Sequence, residues 1–242
     1  MNDALFRRVA PIRDDFKFDG DTAEVFEDML RRSIPFYGEL QAMTAELARR
    51  YAQDGSDVYD LGCSTGTTML LLAKALSGRR TRIVGVDASA AMLEKARRKL
   101  RRARVLRRCR LVRADVNAPP AMPNASVAVL NLTLHFVRPV NRERLLAAVF
   151  KGLRRGGCLI LTEKIVPEDS IVARDFVDLY HAFKARQGYS RLEIDRKREA
   201  LENVLIPYRV EENRRLLRRS GFQVVEEFFR WYNFCGLLAV KR

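Results

Sequence analysis

A strand, a glycine turn and a helix start follow one another at residues 58–67, and this pattern limits the possible folds more than any other feature. The apolar run VYDL (58–61) leads into GCSTG (62–66), and a helical pattern begins at Thr67. A buried strand, a tight turn and a helix N-terminus together point backbone N–H groups at the polar end of a ligand. The segment therefore predicts a nucleoside-type cofactor at the first βα turn of a sheet.

Short apolar runs alternate with helical patterns along the middle of the chain. The predicted strands are Val58–Leu61, Arg82–Val86, Arg110–Arg113, Val127–Leu130 and Cys158–Thr162. The predicted helices between them are Thr67–Leu76, Ser89–Arg102 and Arg142–Leu153. Such alternation is typical of parallel βαβ units with helices on both faces of the sheet, and it places a ligand at the carboxyl ends of the strands.

The two ends of the chain have their own patterns. Two helices, Thr22–Arg32 with Asp21 as N-cap and Tyr37–Tyr51, predict a helical cap over residues 1–52. Residues 169–219 predict a helical insertion that is broken near Gly188.

Two last strands, Phe222–Phe229 and Tyr232–Val240, predict an antiparallel hairpin at one edge of the sheet. A mostly parallel sheet that ends in such a hairpin resembles the Rossmann-like, α/β class I methyltransferase fold. We expect one such domain over residues 1–242.

Composition favours a globular protein without a membrane segment. Of the 242 residues, 48% are hydrophobic and 31% are charged, and no stretch approaches the ~18 apolar residues of a membrane span. The first residues mix both charges and do not resemble a signal peptide, so we expect a cytoplasmic protein. The only histidines, His135 and His181, have no partner at ligand spacing, and the scattered cysteines predict buried thiols with no metal site.

The net charge of +15 raises the question of a nucleic-acid partner. The densest basic clusters, residues 97–102 and 214–219, are interrupted by apolar residues at helical spacing. They are therefore interpreted as solvated faces of amphipathic helices, and no nucleic-acid partner is required.

Acidic residues follow the next two predicted strands. Asp87 ends IVGVD, and Asp115 follows the third strand in ADV. A carboxylate can accept hydrogen bonds from both hydroxyls of a ribose, which suits Asp87, and Asp115 with the N–H of Val116 can bind an adenine edge. An aspartate after a strand is also a common turn residue, so the prediction depends on the three strand ends taken together.

Two other classes of protein share parts of this pattern. GCSTG matches the G-x-S-x-G elbow of α/β-hydrolases, but neither histidine lies in the late loop that such a triad needs. A dinucleotide dehydrogenase also has an acid after its second strand. Ser64 in place of the fingerprint glycine, together with the terminal hairpin, argues against that class.

Several stretches resemble the carboxy-S-adenosyl-L-methionine synthases, a family that acts in tRNA wobble-uridine modification. The matching stretches are AEVFEDMLRRSIPFY, VYDLGCSTG, VLNLTLHF, LTEKIVPED, HAFKARQGYSRLEIDRKREALENVL and WYNFCGLLAVKR. The resemblance implies that S-adenosyl-L-methionine and prephenate give carboxy-S-adenosyl-L-methionine and phenylpyruvate. The sulfonium methyl would lose a proton and gain the carboxyl group that prephenate releases as carbon dioxide, in a pocket that excludes water.

The resemblance also implies which residues bind the cofactor. They are Tyr37, Gly62, Cys63, Ser64, Asp87, Ala88, Asp115, Val116, Asn131 and Arg198. Arg198 would bind the new carboxylate, because a guanidinium can hold a carboxylate through two parallel N–H bonds; the alternative is a surface ion pair with Glu202. Two positions depart from the family pattern: Ala88 replaces the usual asparagine, and His135, interpreted as a satisfied buried histidine, replaces a glutamine.

Three functions remain open at this point. Besides the synthase, the fold would suit a methyltransferase that acts on tRNA or a small molecule, or a non-catalytic module that binds the cofactor. The family resemblance further implies a homodimer in which the helices of residues 169–219 form the contact. No side chain stands out in the sequence as a general base.

Overall fold

A seven-stranded mixed sheet organises the chain, of which the computed structural model describes residues 20–242. In chain order the strands are β1 (Asp57–Leu61), β2 (Arg82–Asp87), β3 (Cys109–Arg113), β4 (Ala125–Asn131), β5 (Leu153–Lys164), β6 (Val224–Trp231) and β7 (Phe234–Val240). Their order across the sheet is β3-β2-β1-β4-β5-β7-β6. The first five run parallel and β7 is antiparallel to both of its neighbours, which confirms the predicted fold class.

Helices flank this sheet, and two of them precede its first strand in the chain. The helices are α1 (Gly20–Ser33), α2 (Tyr37–Tyr51), α3 (Thr67–Ala75), α4 (Ala90–Arg102), α5 (Pro139–Gly152), α6 (Ser170–Arg186), α7 (Arg191–Leu201) and α8 (Val210–Arg219). The predicted break near Gly188 separates α6 from α7. Residues 1–19 lie outside the described residues, so the start of the predicted cap and the expectation of no signal peptide are not tested by the structure.

Successive side chains of a strand point to opposite faces of the sheet, so the core has two parts, one on each face. Tyr59 and Leu61 belong to one apolar cluster, with Leu145 of α5 and Leu217 of α8. Val58 belongs to the other, with residues of α2, α3 and α4. All of β1 is buried, because helices cover both of its faces.

Several predicted boundaries are wrong by a few residues. Helix α5 begins at Pro139 rather than Arg142, since the fixed φ of proline suits the first helical position. Asp21 lies within α1 and is not its N-cap. Tyr232 adopts a φ of 33° in the turn that joins β6 and β7, so the last strand begins at Phe234.

The structure agrees with two interpretations of the sequence: the basic clusters are solvated faces of helices, and most of the cysteines are buried thiols. In the basic cluster of α4 the buried residue is Leu100, and in that of α8 they are Leu216 and Leu217, while most of the arginines around them are exposed. All four cysteines are free thiols, three of them buried. No helix within residues 20–242 is long and apolar enough to cross a membrane.

Candidate functional site

One cavity of about 760 Å³ lies at the carboxyl ends of the parallel strands and is lined by all ten predicted site residues. The turn after β1 contributes Gly62, Cys63 and Ser64, while Asp87 and Ala88 follow β2. The others are Asp115 and Val116 after β3, Asn131 at the end of β4, Tyr37 of α2 and Arg198 of α7. The structure therefore gathers residues that are far apart in sequence, and their separate roles stay predictions.

The glycine turn forms a shallow cradle because its first residue has no side chain. Gly62 has a φ of +77°, and a Cβ atom there would lie 2.5 Å from both Cγ2 and Oγ1 of Thr133. The N–H groups of Gly62 and Cys63 both donate to the carbonyl of Val86, at 2.8 and 3.0 Å. These bonds tie the turn to the end of β2, where a ribose-binding acid is expected.

Replacing Gly62 with alanine should close this cradle. The new methyl group meets Thr133 and the backbone is strained at positive φ, so we expect the protein to lose roughly 1–3 kcal/mol of stability. Thermal unfolding of Gly62→Ala measures the loss. The double variant Gly62→Ala/Thr133→Ala removes the clash but keeps the strained φ, so it should recover only part of the stability; full recovery would contradict the φ argument.

Asp87 organises the turn and faces the cavity at the same time. Its Oδ2 accepts the N–H of Ser64 at 2.9 Å, and its Oδ1 accepts the N–H of Ser89 at 2.8 Å. Burial raises the pKa of Asp87, and these two backbone hydrogen bonds oppose the shift. Each carboxylate oxygen can accept a second hydrogen bond, which leaves capacity for two ribose hydroxyls.

Asp60 lies behind the cradle rather than on the cavity wall. It is 1% exposed, and its Oδ2 has no hydrogen-bond partner among the described residues. Burial, with a smaller contribution from the charge of Asp87, raises the pKa of Asp60 to about 7. The Asp60 side chain is therefore buried outside the cavity lining, and its carboxyl group carries a proton below neutral pH.

The raised pKa of Asp60 predicts a pH-dependent stability. The contribution of Asp60 to stability is fully present below the pKa of its carboxyl group in the unfolded chain, near 3.8. It is lost as the pH rises through the folded-state pKa of about 7. The Asp60→Asn variant cannot ionise at this position. Its free energy of unfolding at pH 8 should exceed that of the wild type by roughly 1–3 kcal/mol, and this gain should be absent at pH 4. Urea unfolding at both pH values tests this. Asp178→Asn, at an exposed position of α6, is the control, and a gain at pH 4 alone would contradict the prediction.

The expected adenine end is more open than the ribose position. Asp115 is exposed, and its Oδ1 accepts the backbone N–H of Asn117 at 2.8 Å. The second oxygen of the Asp115 carboxylate can still bind a ligand amino group. Ala88 has a small exposed side chain, so its contribution to the cavity is limited to its methyl group and backbone.

Unpaired oxygens mark the expected methionine end. Asn131 Oδ1 and Gln41 Oε1 are buried without a hydrogen-bond partner among the described residues, and both side chains line the cavity. Gln41 Nε2 donates to the hydroxyl of Tyr37 at 2.9 Å, and burial raises the pKa of that hydroxyl to about 12. Buried acceptors are normally satisfied, so these oxygens suit a ligand that brings donors, such as the ammonium group of S-adenosylmethionine.

Arg198 stands with other cations on the wall formed by α6 and α7. Its positive charge contributes to lowering the pKa values of Lys164 and His181. Arg198 makes no ion pair with Glu202 within residues 20–242, although both side chains line the cavity, so the alternative of a surface ion pair is wrong. The guanidinium lines the cavity of its own chain, and its binding of an anion stays a prediction.

Sequence reasoning missed three lysines that line the same cavity: Lys164, Lys184 and Lys197. A signal was present, because Lys164 follows the continuously buried part of β5 and all three lysines lie in stretches that carry the family resemblance. This signal does not by itself predict lysines in a cavity, because lysines are usually exposed. His135 is buried as expected, with Nδ1 2.9 Å from Glu163 Oε2, and it also lines the cavity.

The fold and this cavity define a class of protein. Residues 58–157 match the model of the methyltransferase domain family. A crystal structure of a proposed S-adenosyl-L-methionine-dependent methyltransferase from Methanococcus maripaludis has the same fold, with a TM-score of 0.64 and 19% identity over 96% of this chain and 97% of that one. The chain thus has the fold of the S-adenosyl-L-methionine-dependent methyltransferases, and its residues 58–157 match their domain model.

Sequence identity over the whole chain narrows this class. The chain is 48% identical to the carboxy-S-adenosyl-L-methionine synthase of Methylococcus capsulatus, with 99% of each sequence covered. It is 43% identical to the synthase of Desulfotalea psychrophila over 99% of this chain and 97% of that protein. The chain belongs to the carboxy-S-adenosyl-L-methionine synthase family.

Proposed function

We propose that this enzyme converts S-adenosyl-L-methionine and prephenate to carboxy-S-adenosyl-L-methionine and phenylpyruvate. The observation that carries the proposal is Arg198, a guanidinium without an acidic partner among the described residues, on the wall of a cavity that also holds the cofactor-binding turn. S-adenosylmethionine carries a positive sulfonium and no anion at its methyl carbon, so that end of the unmodified cofactor gives a guanidinium nothing to bind. A product with a new carboxylate gives it an anion to bind.

The protein's part in this reaction is to bind, orient and exclude water. Bound S-adenosylmethionine would supply an acidic methyl group. Prephenate would supply the carboxyl group as carbon dioxide and lose hydroxide, which takes up the methyl proton to give water. Asp87 would hold the ribose, and the free oxygen of Asn131 would accept from the ammonium group. Helices α1 and α2 cover the cavity through Phe26, Met29 and Tyr37, which limits the access of water to the reacting carbon.

Mass spectrometry of the reaction products tests the proposal. Purified enzyme with S-adenosylmethionine and prephenate should yield a cofactor heavier by one carboxyl group, together with phenylpyruvate. Enzyme that binds S-adenosylmethionine but forms neither product would refute the proposal. Transfer of labelled methyl to tRNA would then favour a methyltransferase, and binding without any turnover would favour a non-catalytic module.

We further propose a cytoplasmic homodimer whose product serves the 5-oxyacetyl modification of the tRNA wobble uridine. Three large apolar side chains, Ile171 and Leu179 of α6 and Leu192 of α7, are exposed in the single chain, which supports a contact through these helices. Light scattering after gel filtration measures the mass. A monomer at micromolar concentration would refute the dimer.

A further inference from the structure

Two lysines on the α6 side of the cavity have no acidic partner within residues 20–242. Lys164 ends β5 and Lys184 lies in α6, where it is 5% exposed. Their Nζ atoms lie 5.1 and 4.7 Å from the centre of the buried Tyr180 ring. Lys164 is partly buried. Charges that are withdrawn from water are normally paired, so these two residues, called the lysine pair below, need an explanation.

The acids near the lysine pair are engaged elsewhere. Glu163 precedes Lys164 in the chain, but its Oε2 is 2.9 Å from His135 and its Oε1 accepts the N–H of Leu134. Asp195 acts on Lys184 from a distance, and its Oδ2 is 3.2 Å from Arg191. None of them neutralises the pair by direct contact.

The other neighbours of the lysine pair add positive charge. Burial is the main reason that the pKa of Lys184 falls to about 7, and Lys164 and Lys197 lower it further. Burial and the charge of Arg198 lower the pKa of Lys164 to about 8. A bound anion would relieve both the desolvation and the mutual repulsion.

We propose that Lys164 and Lys184 form a carboxylate-binding subsite, which holds the carboxyl donor through the carboxylate that it does not transfer. This assignment rests on the proposed function, because it takes the donor to be a dicarboxylate. Arg198 then binds the carboxyl group that moves to the cofactor, and the lysine pair binds the one that stays on the keto acid. Lys197 is not part of the pair, since its Nζ donates to Ser33 Oγ at 2.8 Å.

The ring of Tyr180 fixes the position of this subsite. Its hydroxyl donates to the carbonyl of Ser33 at 3.0 Å, and its ring meets Phe234 edge-on with the centroids 5.4 Å apart. The aromatic face stabilises the two ammonium groups when no anion is bound. An arriving carboxylate therefore meets donors that are already in place.

Phenylpyruvate is the probe, because it keeps the carboxylate that the lysine pair would hold. Its methyl ester lacks the charge and is otherwise similar. Isothermal titration with the full-length enzyme and S-adenosylmethionine should show that the acid binds at least about tenfold more tightly than the ester. The fluorescence of Trp231, the single tryptophan, whose ring lies 6.3 Å from that of Tyr180, provides a second readout.

Lys184→Met and Lys164→Met keep most of the side-chain volume and remove the charge. Each should lose the preference for the acid, raise the KM for prephenate at least about tenfold and leave the Kd for S-adenosylmethionine unchanged. Lys184→Arg keeps the charge and should retain the preference. Lys151→Met, at an exposed position of α5, is the matched control and should behave as the wild type.

Equal binding of acid and ester by the wild type, or an undiminished preference in both methionine variants, would overturn the subsite. Removing an unpaired buried charge should not lower the Tm, so the Tm of each variant shows whether it is folded. Binding of phenylpyruvate needs no turnover. The subsite can therefore fail while carboxy-S-adenosylmethionine is still formed, and it can hold if that reaction is absent.

Discussion

Arg198→Ala is expected to weaken the binding of carboxy-S-adenosylmethionine by about 10- to 150-fold and to leave the binding of S-adenosylmethionine within about twofold. The physical reason is the loss of a charged hydrogen-bonded pair, which contributes about 1.5–3 kcal/mol and exists only with the carboxylated ligand. Arg198 makes no ion pair with Glu202, so its removal leaves no unpaired acid there. Isothermal titration with both ligands measures the difference.

Two further variants separate charge from geometry at this position. Arg198→Lys keeps the charge but not the bidentate fork, so its affinity for the carboxylated ligand should fall between those of the wild type and the alanine variant. Arg191→Ala, on the same helix at an exposed position that pairs with Asp195, is the control. Equal weakening of both ligands in Arg198→Ala would remove this residue from its proposed role.

Asp87→Ala should have a still larger effect, a loss of roughly 100- to 1000-fold in affinity for either form of the cofactor. The substitution removes two acceptors for the ribose and also frees the N–H groups of Ser64 and Ser89, which the carboxylate holds at 2.9 and 2.8 Å. A loss of about 3–4 kcal/mol corresponds to that range. Titration with S-adenosylhomocysteine, which is stable in solution, provides the measurement.

The loss in Asp87→Ala has two parts, the lost hydrogen bonds to the ribose and the loosened turn. A ligand that lacks the ribose hydroxyls separates them. If Asp87 binds the ribose, removing the hydroxyls from the ligand and the carboxylate from the protein should cost less together than the sum of the separate losses. Full additivity would mean that Asp87 acts on the turn alone. Glu94→Gln, an exposed acid of α4, should bind both ligands as the wild type does.

The turn and the three strand ends could be predicted because their signals are local. Gly62 needs a positive φ and free space, Asp87 ends a buried strand, and both properties are visible within a few residues of sequence. Element ends were less predictable. Pro139 starts α5 three residues before the apolar pattern does, and Tyr232 turns the chain where alternation alone would continue a strand.

Whether Arg198, Lys164 and Lys184 pair with acids could not be predicted, because it depends on contacts between distant segments. In the sequence Arg198 has Glu202 at the spacing of a helical ion pair, and only the fold shows that the pair does not form. Lys164 and Lys184 are 20 residues apart in the numbering of the chain. The fold places both ammonium groups near the ring of Tyr180 in α6, at 5.1 and 4.7 Å from its centre.

The sequence by itself determined the order of strands and helices, the glycine cradle at Gly62 and the acid at Asp87, because backbone sterics and burial act over a few residues. Tertiary structure alone decided that Asn131 keeps a free oxygen and that two lysines, Lys184 buried and Lys164 partly buried, line the cavity without an acidic partner among the described residues. Charge pairing and desolvation depend on what surrounds a side chain in space, and those surroundings come from segments that the chain brings together only on folding.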